Sequence, residues 1–268
     1  EPFGIVGARL VYADGTLQEA GGIVFRDGSG WNYGRGDHPD RPEYGFVSEA
    51  DYVSGACLAI ERATFESLGG FDPYFAPAYY EDTDLCFRAR SRGLRVLYQP
   101  AARVIHYEGA TSGTDEASGA KRYQAVNRER FRERWAEALS RHPENPGVFS
   151  RDAARAFRYR RFPRRALVID AVTPAPDQDS GSVRMFAMLE LLVDMGFRTR
   201  FMPENLAWTG RHSEALQQAG VEVLTAPWLH DPQEWLTRHG EDLDLVVVSR
   251  HYVLAPLVKL IRALCPNA

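Results

Sequence analysis

The chain has 268 residues, 44% of them hydrophobic, with a formal net charge of -4. That is enough material for two modest cores, and it lacks the basic excess of a general nucleic-acid binder. No stretch approaches the roughly 20 apolar residues needed to cross a bilayer, and Cys57, Cys86 and Cys265 are odd in number without paired spacing. Zinc and disulfides are therefore not expected, and the thiols suit a reducing, cytoplasmic setting.

In chain order, Trp31 lies in the polar, Gly-rich segment 27–40, which is long enough for a mobile ligand-binding loop; a solvent-exposed connection is the simpler account. Asp51 to Ile60 predicts a buried strand, and Glu61 to Leu68 a short helix closed by Gly69-Gly70. The aromatic residues Tyr74, Phe75, Tyr79 and Tyr80 follow, suited equally to stacking on the faces of a ring-shaped ligand and to forming a hydrophobic lid over the core. Glu81-Asp82-Thr83-Asp84-Leu85 then opens a helix. Carboxylates in a first turn are favoured by the free N–H groups and the helix dipole whatever their function. His106-Tyr107-Glu108-Gly109 ends a later strand, where a lone histidine is by default a packed or surface residue. Together, however, the carboxylates and the imidazole are the materials of a metal-assisted group-transfer site.

From Lys121 to Ser140, Tyr123, Asn127, Phe131, Trp135 and Leu139 recur at a spacing of four, one slowly drifting helix face. The breaker-rich run Arg141 to Gly147 ends this unit. Residues 151–165 carry Arg151, Arg155, Arg158, Arg160, Arg161, Arg164 and Arg165 against Asp152 alone. A solvated basic linker helix is the simpler reading; contact with anionic lipid headgroups or a lipid-linked diphosphate is the functional one. From Ala166 onward, short apolar runs alternate with amphipathic stretches: strands at 166–170, 198–202, 221–224 and 243–249, helices at 182–195, 213–219, 232–238 and 254–264. Such alternation predicts right-handed crossovers and a parallel sheet with helices on both faces, a Rossmann-like half-domain. Ser180-Gly181-Ser182 opens its first helix after a strand, where backbone N–H groups are available to an anion. A simple helix cap would look the same, and the Gly-x-Gly-x-x-Gly fingerprint is absent.

The order "SGA strand, helix, GGFD, aromatic loop, EDTDLCFRAR, Gly, RVLYQP, RVIHYEG", with Val6 to Leu10, Asp14-Gly15-Thr16 and Ala20-Gly21-Gly22 ahead of it, resembles the acceptor-side half of the family 2 glycosyltransferases with a GT-A fold. Several motifs in one order across residues 5–135 make the resemblance specific. It implies that Asp82 is the catalytic base; one or both of Glu81 and Asp84 are then left to orient the acceptor or cap the helix. In that setting Ser54, Gly55, Tyr79, Tyr80 and Trp31 are the acceptor-binding candidates, and His106 would supply its imidazole to a divalent metal. Oxygen-rich ligation with one nitrogen suits Mn or Mg better than Zn. In that family the nucleotide pocket and the Asp-x-Asp metal motif precede the point corresponding to residue 1, so the chain is expected to be a fragment. The run "RALVIDAVTPAPDQDSGSVRMF" similarly looks like the opening of the N-terminal domain of GT-B glycosyltransferases.

The resulting expectation is an α/β chain: a partial GT-A domain over 1–140, a basic linker over 141–165, and a Rossmann-like half of a GT-B domain over 166–268. The function implied is transfer of a sugar from a nucleotide-sugar donor to a hydroxyl of a glycan or lipid-linked glycan, inverting at the GT-A site, in surface-polysaccharide biosynthesis. The expected location is the cytoplasm, with peripheral contact at the inner membrane face through the linker as a secondary expectation. A glycan-binding or scaffolding protein on a transferase fold, and a metal-dependent hydrolase, are the rival classes.

Overall fold

The computed structural model describes residues 3–107 and 122–268; Glu108, Gly109 and Lys121, which figured in the motifs above, lie outside the described residues. The chain separates into two compact units, one of Glu1–Pro39 and Ser48–Arg158, the other of Asp40–Val47 and Tyr159–Ala268. The division falls between residues 158 and 159 rather than across 141–165, and residues 40–47 go with the second unit. The physical reason is that the second half of the expected linker is not solvated along its length. It forms a helix whose Ala154 and Arg158 are buried; Arg158 donates to Ser48 Oγ at 3.0 Å, and Arg151 pairs with Asp37 at 2.8 Å.

The first unit contains β1 (Phe3–Val11), β2 (Leu17–Glu19), β3 (Gly22–Val24), β4 (Gly30–Asn32), β5 (Ser48–Glu49), β6 (Leu58–Ile60), α1 (Arg62–Leu68), α2 (Glu81–Ser91), β7 (Arg95–Ile105), α3 (Arg122–Arg134), α4 (Ala136–Leu139) and α5 (Arg151–Arg158). Its main sheet runs β2-β1-β7-β5, with β6 also on β1. β1 and β7 are parallel, and the other pairs are antiparallel. β3 and β4 form a separate hairpin. The strand expected over 51–60 is realised only as β6. Before it the backbone turns, with Cys57 N donating to Ser54 O at 3.3 Å, and Tyr52 makes an isolated bridge to Gly22. A Cβ on Gly22 would lie 1.8 Å from the Tyr52 ring, so only glycine admits this crossing.

Helix α2 is held between two apolar clusters. Leu85, Cys86 and Ala89 pack with Ile5, Leu68 and Val96, while Phe87 packs with Val24, Phe75, Phe131 and Leu139. Burial on both flanks fixes the direction of its N-terminal turn, which is the part that carries the carboxylates.

The second unit contains β8 (Arg164–Asp170), α6 (Ser180–Asp194), β9 (Phe197–Pro203), α7 (Arg211–Gln218), β10 (Glu222–Val223), α8 (Pro232–His239), β11 (Leu245–Val248) and α9 (His251–Leu264). Its four strands are parallel in the order β10-β9-β8-β11. Successive residues of β8 point to opposite faces. Ala166 and Val168 meet Leu189 of α6 and Leu216 of α7; Leu167 and Ile169 meet Leu236 of α8 and Val253 of α9. Among the described residues no helix is long and apolar enough to cross a membrane.

Candidate functional site

The first unit holds a cleft of about 1500 Å³. Its floor and walls come from β2, the hairpin β3–β4, the turn after Tyr52, the start of α2 and the residues just past β7. Glu81, Asp82, Ser54, Gly55, Tyr79, Tyr80, Trp31 and His106 all line it. The structure therefore brings together eight of the residues singled out in the sequence.

Asp82 is partly buried in the first turn of α2. Its Oδ2 accepts from Gly55 N at 2.8 Å. Its Oδ1 accepts from Thr83 N at 2.6 Å and Thr83 Oγ1 at 3.2 Å. A Cβ on residue 55 would stand 3.3 Å from Asp82 Cβ, so glycine is what lets that amide come close. Burial holds the Asp82 carboxyl above the usual carboxylate range against the opposing effect of these donors. Glu81 is raised too, by burial first and by Asp82 second, and its buried Oε2 has no hydrogen-bond partner among the described residues.

Asp84 does not line the cleft. It is fully buried on the far side of α2, accepting from Arg88 Nε at 2.7 Å, Trp135 Nε1 at 2.9 Å and Arg134 Nη1 at 3.2 Å. Arg88 in turn donates to Leu68 O and Gly70 O. This carboxylate ties α1, α2 and the end of α3 together, so Asp84 neither faces the cleft to orient an acceptor nor caps the helix, and the expectation that it would do one or the other is corrected accordingly. Two residues of α-helix turn the side chain by about 200°, which separates Asp84 from Asp82.

The aromatic loop is held from below. Asn127 of α3 is fully buried, and its amide N–H groups are shared among Phe75 O, Ala78 O and Tyr79 O at 2.7, 2.9 and 3.0 Å. Tyr79 and Tyr80 have φ values of 73° and 74°, a left-handed conformation costing about 1–2 kcal/mol per non-glycine residue. Tyr80 also donates to Gly28 O at 2.9 Å and lies 5.2 Å from the Phe131 ring. Trp31 sits in strand β4 rather than a long loop, edge-on to Phe25 at 4.7 Å and Phe149 at 5.2 Å.

His106 follows β7, its N–H donating to Val11 O at 3.0 Å. Its Nδ1 lies 3.1 Å from Gln18 Oε1. With Nδ1 donating to that oxygen, Nε2 would keep the lone pair that a metal-binding imidazole uses. Among the described residues no group of three or more His, Cys, Asp or Glu is placed to hold a metal. The donor set present therefore fits one ligand, not a complete site.

Ser180, Gly181 and Ser182 belong to the second unit and form the first turn of α6. The Asp179 side chain caps that turn, accepting from Ser182 N at 2.8 Å and Ser182 Oγ at 2.6 Å. These bonds hold Asp179 below the usual carboxylate range. A negative charge thus occupies the N–H that an incoming anion would use, and the turn is a capped helix end rather than an open anion site.

Glu19 is a cleft residue that sequence reasoning passed over. It is 2% exposed, accepts from Ser54 N at 3.0 Å, and is pushed up to about 8, chiefly by burial. A glutamate followed by the small residues Ala20-Gly21-Gly22 and the apolar Ile23-Val24-Phe25 was the available signal.

Residues 39–136, which include α2 and the turn at Ser54-Gly55, match the family model described as "Glycosyltransferase like family 2". Over 119 residues, 42% of this chain and 9% of the relative, the sequence is 34% identical to an O-antigen biosynthesis protein of Myxococcus xanthus. It is 41% identical over 68 residues to an N-acetylglucosaminyl-diphospho-decaprenol L-rhamnosyltransferase of Mycobacterium tuberculosis, covering 25% of this chain and 22% of that one. It is 40% identical over 58 residues to the Escherichia coli rhamnosyltransferase WbbL, 21% of each chain. The chain thus spans only 9% to 22% of the length of these relatives. No solved structure gives a significant match.

Proposed function

We propose that the first unit is the acceptor-binding, base-bearing part of a glycosyltransferase of surface-polysaccharide biosynthesis. It would move a sugar from a nucleotide-sugar donor to a hydroxyl of a glycan or lipid-linked glycan, with inversion. The observation that carries this reading is Asp82: a carboxylate fixed by Gly55 and Thr83, made more basic by burial, at the edge of a cleft of about 1500 Å³. A carboxylate so placed removes the proton of the acceptor hydroxyl as its oxygen bonds to the anomeric carbon. The bond from that carbon to the diphosphate breaks with its electron pair, the nucleoside diphosphate leaves, and the proton ends on Asp82. Tyr79, Tyr80 and Trp31 offer ring faces and edges to a sugar, and the turn at Ser54-Gly55 fixes the base. His106 Nε2 is the atom that would hold a divalent metal, Mn or Mg, whose charge offsets that of the departing diphosphate.

For the second unit, the four parallel strands and their two helical layers support a Rossmann-like half of a GT-B transferase domain. Two of the relatives are named for rhamnosyl transfer, which makes rhamnose the first sugar to test. The deciding experiment supplies activated nucleotide-sugars, beginning with a rhamnosyl donor, to the protein with Mn, with and without a glycan acceptor. Product formed only when the acceptor is present supports a transferase. Free sugar released at the same rate without it would instead indicate a hydrolase.

A further inference from the structure

The turn after Tyr52 presents two successive amides to two different carboxylates. Ser54 N donates to Glu19 Oε1 of β2 at 3.0 Å, and Gly55 N donates to Asp82 Oδ2 of α2 at 2.8 Å. Two acidic side chains from separate elements are thereby held side by side on one piece of backbone, both lining the cleft. They differ in burial. Asp82 is partly exposed and has three hydrogen-bond donors on its two oxygens. Glu19 is 2% exposed, and among the described residues the only hydrogen bond to its carboxyl group is the one from Ser54, with no ion pair.

An ionised carboxylate so deeply buried, with one donor and a like charge beside it, is unfavourable; the neutral acid is the stable form. The titratable and charged groups around it are Asp82 and Cys86 on α2, Tyr52 in the turn, and Arg158 on α5. Burial holds Cys86 and Tyr52 in their uncharged forms as well. Arg158 favours the Glu19 anion, but burial outweighs it.

We propose that Glu19 works as a neutral carboxylic acid that positions the acceptor, its Oε1 fixed by Ser54 and its O–H donated to an oxygen of the acceptor sugar beside Asp82. The assignment rests on reading the cleft as a transferase site. No bond is made or broken at Glu19, which keeps its proton while Asp82 gains one. Glutamine in its place keeps a donor of the same reach but cannot titrate; alanine removes the donor.

The test is the pH profile of acceptor-dependent transfer for wild type, Glu19→Gln and Glu19→Ala, with separate KM values for donor and acceptor. Wild type is expected to lose activity as pH rises through about 8, and Glu19→Gln to keep turnover within about threefold while losing that alkaline limb. Glu19→Ala is expected to raise the acceptor KM about tenfold and to leave the donor KM nearly unchanged, the loss of one hydrogen bond. An alkaline limb that persists in Glu19→Gln, or donor and acceptor KM values that change together, overturns the proposal. An infrared carboxylic-acid band present at pH 7 in wild type and absent from Glu19→Gln reports the proton without any turnover, and its absence from wild type also overturns the proposal. If wild type shows the band but forms no product with any acceptor, the transferase reading fails and the acceptor role fails with it.

Discussion

Asp82 and Asp84 stand two positions apart in one acidic run, yet they do opposite things. Asp82 faces the cleft on backbone and hydroxyl donors; Asp84 faces the core on Arg88, Arg134 and Trp135. The sequence contained the means to separate them, since α-helical geometry alone sends them to opposite sides. It did not contain which side was the core, because that depends on where Arg134 and Trp135 come to lie. Removing the Asp84 carboxylate takes one acceptor from each of Arg88, Arg134 and Trp135; Arg88 keeps the carbonyls of Leu68 and Gly70, and Arg134 keeps Asp72. Asp84→Ala is therefore expected to cost about 1–3 kcal/mol in urea unfolding. Asp82→Asn is expected to change stability little or to raise it, because burial disfavours the charge that this substitution removes.

At the scale of elements, the aromatic loop depends on helix α3. Three carbonyls of residues 75–79 converge on one Asn127 side chain, and this offsets the left-handed backbone of Tyr79 and Tyr80. The four-residue spacing of Tyr123, Asn127, Phe131 and Trp135 revealed the helix but not that its polar member reached back to the loop. Asn127→Ala is expected to cost about 2–4 kcal/mol, and to appear as faster amide exchange confined to residues 74–80. The strand expected across Asp51 to Ile60 failed for a related reason. Its apolar composition was legible, but the turn at Ser54-Gly55 exists because Glu19 and Asp82 accept from its amides, and such partners are invisible in a local pattern. In the second unit, Glu222 of β10 bonds both Arg198 and Arg200 of β9 at 2.8 and 3.0 Å, all nearly fully buried. Glu222→Ala is expected to destabilise that unit by about 3–5 kcal/mol, measured as a lowered midpoint in urea.

At the scale of the whole molecule, the buried acids set a pH dependence. Glu19 titrates higher in the folded chain than in the unfolded one. Its contribution to stability is fully present below its unfolded value of 4.5 and is lost as pH rises through about 8. Glu81 and Asp82 are shifted in the same direction. Unfolding free energy is expected to decline across that window by a few kcal/mol, and Glu19→Gln to flatten much of the decline; equal slopes for the two proteins would contradict the burial argument. Most of the second unit's elements were legible because they alternate in hydrophobic period, and much of the cleft was legible because its residues fall into short motifs. The place where the chain divides was not, since α5 looks solvated in sequence yet buries Ala154 and Arg158 against the first unit. The measurement that bears most directly on the central claim is acceptor-dependent sugar transfer by wild type and Asp82→Asn, with donor binding followed separately. A fall of about 10²–10⁴-fold in turnover with donor affinity retained is the expected result for a general base, and transfer at the wild-type rate would contradict it.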